Sequence, residues 1–162
     1  MRVVKIFAAF CACLKYTVHA LLEEKFVGFE PGDLALDIAS ATIIADADDF
    51  VGIHIALNSL VDDFEQITGT RPALSNATTN STISTSATSV IVGSVGSRLI
   101  RHLSSEKGLD ISDLEGKWEV FKTAVIADPI AGVEQALVIV GSDKRGTIFG
   151  VHTLAEQSGQ SP

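Results

Sequence analysis

The chain has 162 residues and a mass of 17.1 kDa, which is enough for one domain of ordinary size. Apolar residues make up 46% and charged residues 20%, so we expect a packed core rather than extended disorder. Twenty acidic residues against twelve basic ones give a net charge of −8, and no basic stretch suggests nucleic-acid binding. No apolar run reaches about 18 residues, so no ordinary membrane-spanning helix is predicted.

Residues 1–20 have the pattern of a cleaved secretion signal. Two basic residues precede an apolar run at 6–14, and Ala20 ends a stretch that suits a signal peptidase. The pattern predicts cleavage after Ala20 and a secreted, extracellular protein. Both cysteines lie inside this segment, so the mature chain would contain no disulfide. The alternative interpretation is a first strand or helix of the fold.

The next clear elements are a strand and a long amphipathic helix. Residues 41–45 form an apolar, β-branched run typical of a buried strand. Apolar residues then recur at three- and four-residue spacing over 50–67, which predicts a helix. The aspartates within 46–49 are suited to cap that helix, and Gly69 to end it.

The segment 75–89 is uncharged, and ten of its fifteen residues are Ser or Thr, so we predict an exposed loop. Asn76 and Asn80 both begin Asn-x-Ser/Thr sequences, which are acceptors for N-glycosylation in the secretory pathway. Two acceptors behind a secretion signal favour a glycoprotein. The alternative is a flexible loop that is never glycosylated.

The remaining chain alternates strands and helices. We predict a strand at 89–92, a helix ending at Gly108, strands at 118–126 and 136–140, and a last helix ending before Gly159. Buried strands separated by helices indicate an α/β fold, which we expect to be a two-layer mixed β-sheet with helices packed on it.

The turn V-G-S-D-K-R-G at 140–146 is the candidate functional feature. Ser142 or Asp143 can cap the following helix, yet Lys144 and Arg145 place two positive charges where the helix dipole disfavours cations. Free N–H groups beside a guanidinium suit a carboxylate. Asp143, Lys144 and Arg145 are therefore predicted to form an anion site or a contact to a neighbouring domain. The alternative is a solvated pair in which Arg145 binds a local acid.

No other motif identifies catalytic chemistry, and we predict neither a metal nor a cofactor. The histidines lack metal-binding spacing, and no G-x-S-x-G sequence supports a serine hydrolase. The glycines at 93 and 96 form only part of a nucleotide-binding fingerprint. The aspartates within 46–49 offer ligands for Ca²⁺, although helix capping is the simpler interpretation.

Three sequence segments carry a family resemblance. The first is F-V-G-I-H-I-A at 50–56, continuing to Gly69, the second runs from 136 to 159, and the third is Ser161-Pro162. With them, the chain from about Phe26 to its end resembles the N-terminal region of glycoside hydrolase family 115, the xylan α-1,2-glucuronidases. The G-S-D-K-R-G-T-I-F-G block at 141–150 is the most specific part, and 75–89 has no counterpart in the resemblance.

This resemblance implies a small α/β domain, similar to those of hexosaminidases, ahead of a (β/α)₈ barrel. The family removes glucuronic acid or its 4-O-methyl ether from xylan with inversion, and its catalytic carboxylates lie in the barrel. Residues 21–162 would then be the N-terminal domain, truncated before the barrel and inactive alone. Glucuronoxylan-derived saccharides would bind through the missing barrel. Asp143, Lys144 and Arg145 would face barrel loops or the uronate carboxylate.

Two other functions compete with this interpretation. The first is a secreted, non-catalytic carbohydrate-binding or interaction module. Such modules commonly stack sugar rings on tryptophan or tyrosine, and Trp118 is the only residue of these two types outside the signal. The second is a nucleotide-linked α/β enzyme, which the incomplete glycine motifs and the export signal disfavour. The sequence leaves the oligomeric state open.

Overall fold

The computed structural model describes residues 7–9, 27–28, 35–77 and 87–159. These ranges contain eight strands and three helices. In chain order they are β1 Phe7–Ala9, β2 Val27–Gly28, β3 Ala35–Asp37, β4 Thr42–Asp46, α1 Val51–Thr68, β5 Leu74–Ala77, β6 Thr88–Ser94, α2 Arg98–Lys107, β7 Phe121–Ala127, β8 Gln135–Gly141 and α3 Lys144–Gln157.

The main sheet has five strands in the order β5-β4-β6-β8-β7. Four of them run parallel, and the edge strand β7 is antiparallel to β8. The central strands β4, β6 and β8 are buried almost throughout, which explains why their sequences are continuous apolar runs without alternation. The predicted α/β class and mixed sheet are confirmed.

Helices cover both faces of this sheet, so the prediction of two layers is wrong. Ile43 packs in the cluster that includes α1 and α3, whereas its neighbour Ile44 packs with Leu99, Ile100 and Leu103 of α2. Successive strand residues point to opposite faces, and both faces of these strands are apolar. Each face therefore needs its own covering layer, and the arrangement has three. The similarity to hexosaminidase domains stays a prediction.

A second, smaller sheet lies beside the α1 and α3 face. Its order is β2-β1-β3, with both pairs antiparallel. Val27, Leu36 and Ile38 join the same core as α1 and α3, and the Val27 N–H donates to Oε1 of Gln157 at 3.2 Å. The central strand β1 lies within the predicted signal. Cleavage after Ala20 would remove it from between β2 and β3.

The helix ends agree with the sequence, but strands occupy both ends of the segment predicted as a Ser/Thr-rich loop. Gly69 and Gly108 follow α1 and α2 in the left-handed conformation, with φ of 74° and 72°. The predicted loop 75–89 contains most of β5 and the start of β6, while 78–86 lie outside the described residues. Among the helices described, none combines the length and apolar character needed to cross a membrane.

Candidate functional site

Polar turns gather at one edge of the main sheet. Because β4, β6 and β8 are parallel, their carboxyl ends meet there, and each strand is followed by the start of a helix. In open α/β sheets, ligands usually bind at this edge, where the connections diverge to either side. The three turns that follow these strands therefore form the candidate site.

Asp46 ends β4 with a carboxylate that is almost completely buried, at 2% relative exposure. Its Oδ2 accepts the N–H groups of Arg98 at 2.7 Å and Leu99 at 3.3 Å, and its Oδ1 accepts that of Asp48 at 3.0 Å. Burial acts to raise the pKa of Asp46, but these three N–H groups and the Arg98 charge together lower it. Asp46 thus caps α2, although the sequence pattern assigned it to α1.

Asp49 makes a second bridge between the same turns. Its two carboxylate oxygens accept the backbone N–H and the hydroxyl of Ser94, at 2.8 and 2.9 Å. The helix α1 begins after Phe50 without a side-chain cap. The chain's own carboxylates therefore occupy the N–H groups that a bound phosphate would need at α2. Within the described ranges, no group of three or more His, Cys, Asp or Glu side chains is arranged to hold a metal.

Asp143 is the N-cap of α3, as the sequence indicated. Its Oδ1 accepts the Gly146 N–H at 2.7 Å, and its Oδ2 accepts the Glu119 N–H at 3.0 Å. The hydrogen bond from Gly146, opposed in part by desolvation, lowers the pKa of the Asp143 carboxyl. The neighbouring Ser142 exchanges two further hydrogen bonds with Val120. Asp143 and Ser142 thus fix the start of α3 against the segment that leads into β7.

Arg145 pairs with an acid that the sequence analysis did not identify. One guanidinium nitrogen lies 2.7 Å from Oε1 of Glu119, and both side chains are accessible to solvent. This is the solvated pair considered as the alternative for Arg145. Lys144 has no acidic partner among the described residues, and its methylene chain lies beside Gly52 of α1. The negative charge of Asp143 offsets part of the unfavourable interaction between these two cations and the helix dipole.

Close packing explains the glycines of the 141–150 block. A Cβ atom on Gly141 would lie 2.1 Å from the Thr147 nitrogen, and one on Gly146 would lie 2.2 Å from the Val120 oxygen. At Gly150 it would approach Cγ2 of Ile139 to 2.5 Å. Close packing of α3 on β8 and the chain before β7 therefore explains why glycine is needed at all three positions.

Of the two predicted glycosylation acceptors, Asn76 lies within the described residues. Asn76 is exposed on β5, the edge strand that pairs only with β4 in the main sheet. Asn80 lies outside the described residues. An exposed edge position leaves room for a glycan at Asn76, and its glycosylation stays a prediction.

A solved structure relates this fold to a known enzyme. The protein is similar to BtGH115A, a family GH115 4-O-methyl-α-glucuronidase with specificity for decorated arabinogalactans, at 28% identity and a TM-score of 0.57. The similarity covers 75% of this chain but only 14% of that one. No family model and no curated protein matches. The matched part of this chain is a GH115 N-terminal-like domain, as the sequence resemblance predicted.

Proposed function

We propose that this chain is the non-catalytic N-terminal domain of a secreted glycoside hydrolase. The hydrolase would remove glucuronic acid or its 4-O-methyl ether from a polysaccharide, with xylan as the substrate that the sequence suggests. The observation that carries the proposal is the match to a 4-O-methyl-α-glucuronidase in which the similar region is 14% of the chain. Most of such an enzyme lies outside the matched domain.

The bonding of the carboxylates at the sheet edge supports a non-catalytic role. An inverting glycosidase needs one acid and one base roughly 6.5–9.5 Å apart, with room for the attacking water. The carboxylate oxygens at this edge instead accept hydrogen bonds from backbone N–H groups or a serine hydroxyl, as seen for Asp46, Asp49 and Asp143. Glu119 forms an ion pair with Arg145. These groups hold turns together, which supports the proposal that the catalytic pair belongs to another part of the enzyme.

Lys144 and Arg145 are the residues proposed to face the catalytic domain. They stand exposed at the start of α3, where their charges either bind loops of that domain or help to hold the uronate carboxylate. Glu119 lies beside one nitrogen of the Arg145 guanidinium, a group that carries five N–H donors in all. The position suits contact with a neighbouring surface.

Secretion remains part of the proposal. It is supported by the signal pattern at residues 1–20 and by the two glycosylation acceptors, Asn76 and Asn80. Treatment of the natural product with an N-glycosidase tests this part separately. A drop in apparent mass supports passage through the secretory pathway, and an unchanged mass with a retained Met1 argues against it.

Paired activity assays test the central part of the proposal. The 162-residue chain and the longest product of the same gene are incubated with 4-O-methylglucuronoxylan fragments and with decorated arabinogalactan. We expect uronic acid to be released by the longer product alone. Comparison of the two polysaccharides shows which of them is the substrate. Release by the 162-residue chain would contradict the proposal. Binding of the short chain to insoluble polysaccharide, without hydrolysis by either form, would favour the carbohydrate-binding alternative.

Arg145→Ala should weaken the longer protein much more than the isolated chain. Loss of a charged hydrogen bond to the catalytic domain or substrate is expected to cost about 1–3 kcal/mol in activity or domain docking. In the isolated chain the exposed pair with Glu119 contributes at most about 1 kcal/mol. Arg71→Ala is the matched control, because Arg71 also forms exposed ion pairs, with Asp62 and Glu65. Equal effects of the two substitutions on activity and melting would argue against this role.

A further inference from the structure

Among the described residues, β7 leaves one long edge of the main sheet without a strand partner. It pairs there with β8 alone, through seven consecutive residue pairs from Phe121 opposite Gly141 to Ala127 opposite Gln135. The opposite edge strand, β5, has only four residues and includes the exposed Asn76. β7 is therefore the longer of the two edges that could accept a further strand.

The register of β7 against β8 shows which of its backbone groups face this open edge. Ser142 donates its N–H to the carbonyl oxygen of Val120 at 2.8 Å, and Asp128 donates its N–H to that of Glu134 at 2.8 Å. In an antiparallel pair, residues that bond to the neighbouring strand alternate with residues that do not. Even-numbered residues of β7 therefore bond to β8, and the N–H and carbonyl groups of its odd-numbered residues point to the open edge.

The strand β7 lacks the features that usually prevent pairing at a sheet edge. Its sequence, F-K-T-A-V-I-A, contains no proline, its register with β8 is continuous, and Lys122 is its only charged residue. The Lys122 ammonium binds within its own chain, to Oδ1 of Asp113 at 3.0 Å and to the Asp110 carbonyl oxygen at 2.8 Å. A long, regular and largely uncharged edge is a template for pairing with another strand.

We propose that β7 pairs antiparallel with β7 of a second copy of this chain, about a two-fold axis at Val125. Val125 would then face its own counterpart, and Thr123 would face Ala127 of the second copy. All three are odd-numbered residues, so their outward N–H and carbonyl groups would bond across the axis. Two five-stranded sheets would become one continuous sheet. The proposal concerns this domain and does not depend on the proposed enzymatic activity.

Charge complementarity favours this register and a second copy as the partner. With the axis at Val125, Lys122 of each copy lies opposite the exposed Asp128 of the other, at both ends of the paired segment. An axis at Ala124 or Thr123 would instead place an apolar residue opposite Lys122. Each Lys122–Asp128 pair also joins a cation to an acid in chains whose net charge of −8 would otherwise oppose association.

Light scattering coupled to size-exclusion chromatography of the 162-residue chain tests the pairing. We expect a dimer whose population rises with concentration. Lys122→Glu should raise the dissociation constant about tenfold, because two attractive cross-strand pairs become repulsive. A chain that stays monomeric at millimolar concentration, or a dimer that Lys122→Glu leaves unchanged, would overturn the proposal.

Reversal of both charges distinguishes this register from a general effect of charge. Asp128→Lys alone should also weaken the dimer, and Lys122→Glu combined with Asp128→Lys should restore it. Lys107→Glu and Glu106→Lys make the same changes at exposed positions of α2, which contacts β4 and β6, and should leave the dissociation constant unchanged. Asp128 has a φ of 47°, so the melting of each variant is measured alongside. A folded double variant that stays monomeric would contradict the register.

Amide hydrogen exchange provides a second measurement that requires no substitution. In the dimer, the N–H groups of Thr123, Val125 and Ala127 bond to the second copy, whereas those of the even-numbered residues of β7 bond to β8 in either state. Dilution should therefore speed exchange several-fold at the three odd-numbered positions and leave the even-numbered positions unchanged. Equal responses in both sets, or no response in either, would overturn the proposal.

Discussion

Gly146→Ala should lower the free energy of unfolding by about 3 kcal/mol. The new methyl group would lie 2.2 Å from the Val120 carbonyl oxygen and 2.9 Å from its nitrogen. These are backbone atoms, and Ser142 holds them with two hydrogen bonds, so they cannot move aside as a flexible side chain would. Relief of the overlap requires α3 to shift away from the sheet, with loss of packing along the helix.

Urea denaturation of the isolated chain, monitored by circular dichroism, measures this effect. Gly96→Ala is the control, because a Cβ there has only the Ser94 hydroxyl nearby, at 3.8 Å. We expect that variant to stay within about 0.5 kcal/mol of the unmodified chain. Similar losses for Gly96→Ala and Gly146→Ala would show that the close approach of α3 to Val120 is not the cause.

Asp46→Asn is the second substitution with a large expected effect, a loss of about 3 kcal/mol. Both Asp46 oxygens face donors: Oδ2 faces the N–H groups of Arg98 and Leu99, and Oδ1 faces the Asp48 N–H. In either orientation, the amide group of asparagine would point its own hydrogens at one of these donors. The substitution also leaves the buried start of α2 without its negative charge.

The pH dependence of stability separates this mechanism from simple loss of packing. The pKa of Asp46 in the folded state lies below the usual aspartate value of about 3.9 in an unfolded chain. The stabilisation is therefore present above that value and is lost as the pH falls through the lowered folded pKa. Between about pH 5 and about pH 3, Asp46→Asn should lose less stability than the unmodified chain.

Asp48→Asn serves as the control for Asp46, because Asp48 is exposed and also pairs with Arg98. At neutral pH it should cost no more than about 1 kcal/mol. A pH profile for Asp46→Asn that runs parallel to those of the control and the unmodified chain would contradict the assigned role of Asp46.

The elements predicted correctly are those that local sequence determines. The apolar runs of β4 and β8 are buried on both faces, and Gly69 and Gly108 end their helices because each adopts a left-handed conformation. The strand β5 was missed because its sequence, L-S-N-A, is polar and because pairing with β4 alone defines it. Local sequence does not reveal such pairing.

The site was less predictable because its contacts are distant in sequence. Asp46 and Arg98 are 52 positions apart, so local spacing suggested a cap for the nearer helix. Glu119 stands outside any strand or helix and carries no sign of its pairing with Arg145. The prediction of two layers was wrong for a similar reason, because an apolar run does not show which helix covers each face of its strand.

Most residues of the 141–150 block that carry the family resemblance have a structural role. Three of its glycines are required by packing, and Asp143 is required as a helix cap. The charged side chains of Lys144 and Arg145 are exposed to solvent, and these are the residues proposed to act on a partner. The most specific part of the sequence therefore identifies the fold first and its interaction surface second.

The size of the natural gene product tests the central claim most directly. An antibody against residues 98–107, which form α2, is used to probe fractionated cells and medium from the source organism. We expect a species far larger than 17.1 kDa that co-fractionates with release of glucuronic acid. A species of 17.1 kDa or less, with no larger form and no such activity, would contradict a role as one domain of a glucuronidase.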